Sequence, residues 1–222
     1  MPASSRSALV LGATGLVGGH CLDLLLADGA WTRVATLGRR PAAREHPKLE
    51  QRTADFDRLD EHADAFAVDD VFCCLGTTIR AAGSREAFRR VDHDYPLAAA
   101  RLASARGARH FLLVTALGAD PGSRVFYNRV KGEVERAVAA LPFAGVLLAR
   151  PSLLLGEHSG RRPAEALAQK AAPVLNPLLV GPLRRYRALP AAAVAGALVR
   201  LAREGVAGVR VVESDELAAL GA

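Results

Sequence analysis

Short apolar runs alternate along the chain with stretches in which apolar residues recur at helical spacing. Ala8–Leu11 reads as a buried parallel strand. Beyond the glycines that follow it, Val17, Cys21, Leu24 and Leu25 fall at i, i+4, i+7 and i+8, one face of a helix that Asp28-Gly29 ends. Val34–Leu37 predicts a second strand, Leu49–Thr53 a third and Val71–Leu75 a fourth. A helical pattern covers Pro96–Ala105, and His110–Thr115 predicts a fifth strand. Phe126–Leu141 reads as a helix stopped by Pro142, and Val146–Ala149 as a sixth strand. This rhythm predicts an α/β fold of Rossmann type: a doubly wound parallel sheet with helices on both faces and right-handed crossovers.

After Arg150-Pro151 the rhythm changes. Residues 152–190 carry Pro163, Pro173, Pro177, Pro182 and Pro190, and predict loops and short helices that form a small substrate cap on the carboxyl edge of the sheet. Ala191–Glu204 predicts a helix, Val209–Val212 a late strand and Glu216–Leu220 a terminal helical turn. The segment after Pro151 is too short for an independent core, so residues 1–222 are expected to form a single dinucleotide-binding domain.

Composition narrows the class. Half of the 222 residues are apolar, enough for a sizeable core. No run approaches the roughly 18 uninterrupted apolar residues that span a bilayer, so stable membrane insertion is not expected. The three cysteines Cys21, Cys73 and Cys74 have no zinc-ligand spacing. Their odd number and the vicinal pair predict reduced thiols. With a short polar Met1–Ser7 unlike a signal peptide, this predicts a cytoplasmic location. The net charge of +6 is carried mainly by arginines scattered over the chain, with no basic helix and no interleaved aromatics, which argues against nucleic acid as a partner.

The candidate chemistry begins at Gly12-Ala13-Thr14-Gly15-Leu16-Val17-Gly18, between a predicted strand and a predicted helix. Gly12 permits a tight turn, Gly15 lets the backbone approach a pyrophosphate, and Gly18 allows close helix–strand packing. The helix start then offers free N–H groups and a positive dipole end. An NAD-binding site of this kind has an acidic residue near 20 positions later, on the ribose 2′-hydroxyl. Here the second strand ends at Leu37-Gly38-Arg39-Arg40. Guanidinium matches a 2′-phosphate, so NADP(H) is the preferred cofactor and NAD(H) stays open. Asp55-Phe56 follows the third strand and is placed to line the adenine. Leu75-Gly76-Thr77-Thr78 follows the fourth, where its glycine permits close approach to a cofactor.

Tyr127 and Lys131 stand four residues apart at a helix start and share one face. An ammonium beside a phenol stabilises the phenolate, which suits a general acid or base for a carbonyl/alcohol couple. A hydroxyl partner belongs just past the fifth strand. Thr115 is the available residue, since Ala116 and Leu117 lack a hydroxyl and Ser123 sits in the Asp120-Pro121-Gly122-Ser123 turn.

Taken together, these motifs resemble the atypical short-chain dehydrogenase/reductases of extended layout, and in particular the Tat-interacting-protein oxidoreductase group. The likeness rests on the glycine loop, Phe72 to Thr78, Phe88-Arg89-Arg90-Val91-Asp92, Asp94-Tyr95, and His110-Phe111 through Asp120. It continues with Tyr127, Lys131-Gly132-Glu133-Val134-Glu135 and Arg150-Pro151. The resemblance implies an NADPH-binding Rossmann domain with a Ser/Thr–Tyr–Lys site, Lys131 also holding the nicotinamide ribose, and Arg150, Pro151 and Ser152 beside the nicotinamide. Where relatives carry a Ser-Ser pair, this chain has Thr115-Ala116. The function so implied is an NADPH-dependent reductase of a small carbonyl substrate. The alternative is a non-catalytic NADP(H) sensor acting through a protein partner.

Two motifs are set aside. Asp92-His93-Asp94 cannot converge on a metal from successive helix positions, and a helix-start role for its carboxylates fits better. Arg184-Arg185-Tyr186-Arg187 reads as a solvated charge cluster on the cap.

Overall fold

The computed structural model describes residues 5–156, Asn176 and residues 179–221. Seven parallel strands form one sheet in the order β3-β2-β1-β4-β5-β6-β9. They are β1 (Arg6–Leu11), β2 (Trp31–Gly38), β3 (Leu49–Thr53), β4 (Asp70–Cys73), β5 (His110–Val114), β6 (Gly145–Arg150) and β9 (Gly208–Glu213). The chain runs from β1 outward through β2 and β3, then returns to β4 on the other side of β1 and continues outward. The topological switch point therefore lies between β1 and β4, where crevices for ligands form in such sheets. Outside the sheet, β7 (Leu154–Leu155) pairs with β8 (Leu189–Pro190).

Each face of the sheet buries its own apolar layer. On one side Ala8, Val10, Phe72, Leu112 and Leu147 pack under helix α1 (Leu16–Ala27) and the helix Ala191–Glu204, with Leu217 of the terminal helix Ser214–Leu220. On the other side Leu9, Leu11, Val71, Phe111 and Leu148 pack under α4 (Tyr95–Ala105) and α5 (Phe126–Ala139). Burial on both faces explains why the inner strands read as unbroken apolar runs. At the amino edge, buried Asp70 accepts from Trp31 Nε1 at 2.8 Å and Arg6 Nη2 at 2.6 Å, tying β4 to β1 and β2.

The sequence missed the elements between β3 and α4. A 3-10 segment covers Phe56–Phe66, and α2 spans Ile79–Ala82. The helix expected from Pro96 instead begins at Arg85. Here α3 (Arg85–Arg89) runs through a π turn, Arg90–Asp94, directly into α4. Proline lacks an N–H, and its ring crowds the carbonyl four residues back, here Asp92; widening the preceding turn accommodates both. Most of the stretch expected to cap the sheet, residues 157–175 with 177–178, lies outside the described residues. Among the described residues no helix is long and apolar enough to cross a membrane.

Candidate active site

The site grows from the turn after β1. Gly12 has φ +81°, and a Cβ built there would stand 2.6 Å from the carbonyl oxygen of Cys74, the residue just past β4. A Cβ on Gly18 would lie 2.2 Å from the Gly12 oxygen, so α1 packs against the turn itself. Gly15 donates to Gly12 O at 2.9 Å and caps α1 with no side chain, and the first turn carries no acidic residue. The opening N–H groups of α1 therefore offer an anion site, with no carboxylate in the first turn to compete for it. Val17 points into the core and offers only its backbone.

A cleft beside this turn is lined by Gly12 to Thr14 and Thr36 to Arg40. Arg39 and Arg40 are exposed, and neither forms an ion pair among the described residues. The cradle fits a dinucleotide: a glycine turn at the switch point, a helix start for the diphosphate and two exposed guanidiniums at the end of β2. Asp55 is exposed, and its side chain accepts from Asp57 N at 3.0 Å to cap the 3-10 segment. Phe56 is buried against Tyr95, ring centroids 5.4 Å apart. The Phe56 ring thus packs into the apolar layer, and any lining of an adenine here falls to Asp55 and the loop backbone.

The loop after β4 meets α5. Lys131 is 4% exposed, and its Nζ stands 2.8 Å from Oδ1 of Asp92, itself 1% exposed. Asp92 Oδ2 accepts from Thr77 N at 2.9 Å. A Cβ on Gly76 would stand 3.4 Å from Asp92 Oδ1 and 3.7 Å from Lys131 Nζ, so the backbone at Gly76 lies against the pair. Leu75 is half-buried against the core, and Thr78 caps α2, accepting from Ala81 N. Burial opposes the Lys131 ammonium, but facing Asp92 and Tyr127 outweighs it and holds the group above the ordinary lysine range. Burial pushes the Asp92 carboxyl up, against Lys131 and the Thr77 N–H. The half-buried Tyr127 ring packs on Phe88, centroids 5.3 Å apart.

Asp92 was legible only as a helix-start carboxylate; the structure corrects this to the buried partner of Lys131. The signal was its place in the stripe Phe88, Asp92, Pro96, Ala99 and Ala103, all buried, where a lone carboxylate needs an opposite charge. Glu135 was missed likewise. It is 4% exposed and binds the Arg150 guanidinium, Nη2 to Oε2 at 2.6 Å, while Arg150 Nη1 reaches Glu213 at 3.1 Å.

Those contacts change two expectations. Thr115 is 5% exposed, and its hydroxyl donates to Glu135 Oε1 at 2.5 Å. A hydroxyl has one proton, so Thr115 has none left to orient a substrate oxygen. Arg150, expected beside the nicotinamide, is tied to two carboxylates that raise its pKa, chiefly through the Glu135 hydrogen bond. Pro151 is buried and its carbonyl accepts from Leu117 N at 2.9 Å. The Ser152 hydroxyl donates to the Arg187 carbonyl and its N–H to Ser214 Oγ. Among the described residues no group of three His, Cys, Asp or Glu side chains is placed to hold a metal ion.

Comparison with known proteins agrees with this geometry. A family described as NAD(P)H-binding matches residues 12–145. Protein HTATIP2 of Rattus norvegicus is 43% identical over 170 residues, 75% of this chain and 70% of the relative. Protein fmp52, mitochondrial, of Emericella nidulans is 37% identical over 167 residues, 72% of each chain. In fold, MoeE5, solved in complex with UDP-glucose and NAD, superposes with a TM-score of 0.68 at 18% identity, covering 95% of this chain and 79% of that one. The mitochondrial name is shared by further fungal relatives and overturns the cytoplasmic expectation. Reduced thiols and a short polar start do not by themselves fix a compartment.

Proposed function

Because the chain belongs to the NAD(P)H-binding family, among the short-chain dehydrogenase/reductase-like proteins, we propose that it is an NADP(H)-dependent oxidoreductase that reduces a small carbonyl substrate. The observation that carries this reading is the meeting of three parts on one sheet edge: the glycine turn, the exposed Arg39 and Arg40, and Lys131 against the loop after β4. The start of α1 would hold the diphosphate, and Arg39 with Arg40 a 2′-phosphate. Gly76 and Thr77 would face the nicotinamide end. A bound NADPH would supply the hydride that such a reduction needs. Tyr127 gives its hydroxyl proton to the carbonyl oxygen and regains one from solvent. Lys131 holds the tyrosine end of the site, and the Phe88 ring keeps the phenol in place. Thr115 supports Glu135 and Arg150 instead of touching substrate.

Titration of the protein with NADPH and NADH tests the cofactor, and a carbonyl screen read by NADPH oxidation tests the reaction. Tyr127→Phe is expected to lower turnover by about 100-fold or more while leaving NADPH affinity nearly unchanged. Arg39→Ala is expected to weaken NADPH by about 10-fold or more and leave NADH unchanged. Unchanged turnover in the first variant ends the catalytic assignment, and equal affinity of the parent for both cofactors ends the NADP(H) preference. A second reading, a non-catalytic NADP(H) sensor acting through a protein partner, is favoured by one observation: the Thr115 hydroxyl spends its proton on Glu135. It predicts tight NADPH binding with no turnover in the screen.

A further inference from the structure

Lys131 shares the face of α5 with Tyr127, but not as a lone cation. Its ammonium lies 2.8 Å from a carboxylate in a pocket that nearly excludes water, with both side chains almost fully buried. The pair draws on one loop and two helices. Asp92 comes from the π turn that Pro96 imposes, its second oxygen is fixed by Thr77 N–H, and Gly76 closes over both charges. The other titratable groups that bear on Lys131 are Tyr127 on its own helix and Cys73 on β4. Burial pushes the Cys73 thiol up to about 12, so it stays uncharged and Asp92 is the counter-charge.

We propose that Asp92 is a positioning residue that neutralises Lys131 and so sets which form of Tyr127 the free protein presents, favouring the protonated phenol that can give its proton to a carbonyl oxygen over the phenolate. A free ammonium stabilises a neighbouring phenolate strongly, whereas an ammonium already bound to a carboxylate presents little net charge. The same contact fixes where Lys131 sits relative to the loop after β4, because Asp92 holds Thr77 N–H and Lys131 Nζ at once. This rests on the reading of Tyr127 as the proton donor.

The test needs no substrate. The chain has three tyrosines, so in a Tyr95→Phe/Tyr186→Phe background the ultraviolet absorbance of phenolate reports Tyr127 alone. Adding Asp92→Asn is expected to move that midpoint down by about one pH unit or more, since it releases an unneutralised charge beside the phenol. Asp92→Glu, which keeps the carboxylate, is expected to stay near the parent. If Asp92→Asn does not fold, the charge-free pair Asp92→Asn/Lys131→Met carries the test. It should titrate near the parent, while Lys131→Met alone, leaving a bare carboxylate, titrates higher. An unmoved midpoint in Asp92→Asn, or a double variant that titrates like Lys131→Met, overturns the proposal. A failed carbonyl screen would leave this result standing, and an unmoved midpoint would leave NADPH binding standing.

Discussion

Thr115 and Asp92 show how a single side chain's meaning depends on its partner. Thr115 follows β5 where a substrate-orienting hydroxyl belongs, yet its proton goes to Glu135, which Arg150 holds in turn. Thr115→Val removes that one donor while keeping the shape. We expect turnover to fall less than about 10-fold and stability to drop by about 1–2 kcal/mol in denaturant melts, the cost of one lost hydrogen bond to a buried carboxylate. A loss of about 100-fold in turnover with unchanged stability would return the hydroxyl to the chemistry. Nothing in the neighbouring residues reveals where the Thr115 proton goes, because Glu135 lies twenty positions away and reaches it only through the packing of α5 on the sheet. Asp92 was closer to legible, since its helical spacing puts a carboxylate on an apolar stripe.

The elements that carry the site are positioned by close backbone contact. Helix α5 buries Val130, Val134 and Val138 toward the sheet, a stripe readable at i, i+4 and i+8. What fixes its height is Gly132, where a Cβ would lie 2.2 Å from the Asp120 carbonyl carbon and the Pro121 nitrogen. Gly132→Ala forces α5 away from that turn. The expected result is a loss of about 1–3 kcal/mol in denaturant unfolding, with lowered turnover because Tyr127 and Lys131 ride on the same helix. Wild-type stability in this variant would show that the turn yields freely. The continuous helix from Arg85 to Ala105 was hidden for an opposite reason. Proline reads as a helix start, whereas here a π turn absorbs Pro96 and carries the helix through it.

At the scale of the whole molecule, one sheet with two apolar layers encloses two of the three thiols and half-buries the third. Cys21 and Cys73 are buried, burial holds Cys73 at about 12, and Cys74, hydrogen-bonded to Cys21, is raised well above the ordinary thiol range. Thiolate is the reactive form, so at about pH 8 the native protein should react with a thiol reagent slowly or not at all. Denaturation should release all three. Rapid labelling of one thiol in the native state would show that the layer around Cys74 opens. Binding at the switch point should also stabilise the whole sheet: NADPH at about 100 times its Kd adds about 2.7 kcal/mol, read as a raised melting temperature that NADH does not match.

The linear chain by itself determined the α/β class, the strands β3, β5, β6 and β9 to within a residue at each end, the glycine turn, the Arg39-Arg40 pair and the shared face of Tyr127 and Lys131. These are local facts, written in period, turn chemistry and i, i+4 spacing. Only the tertiary structure decided that Lys131 answers to Asp92, that Thr115 and Arg150 answer to Glu135, and that the Phe56 ring turns to the core. Each of these is a long-range pairing of a buried polar or aromatic group, and burial obliges such a group to find a partner without encoding in sequence which one it finds.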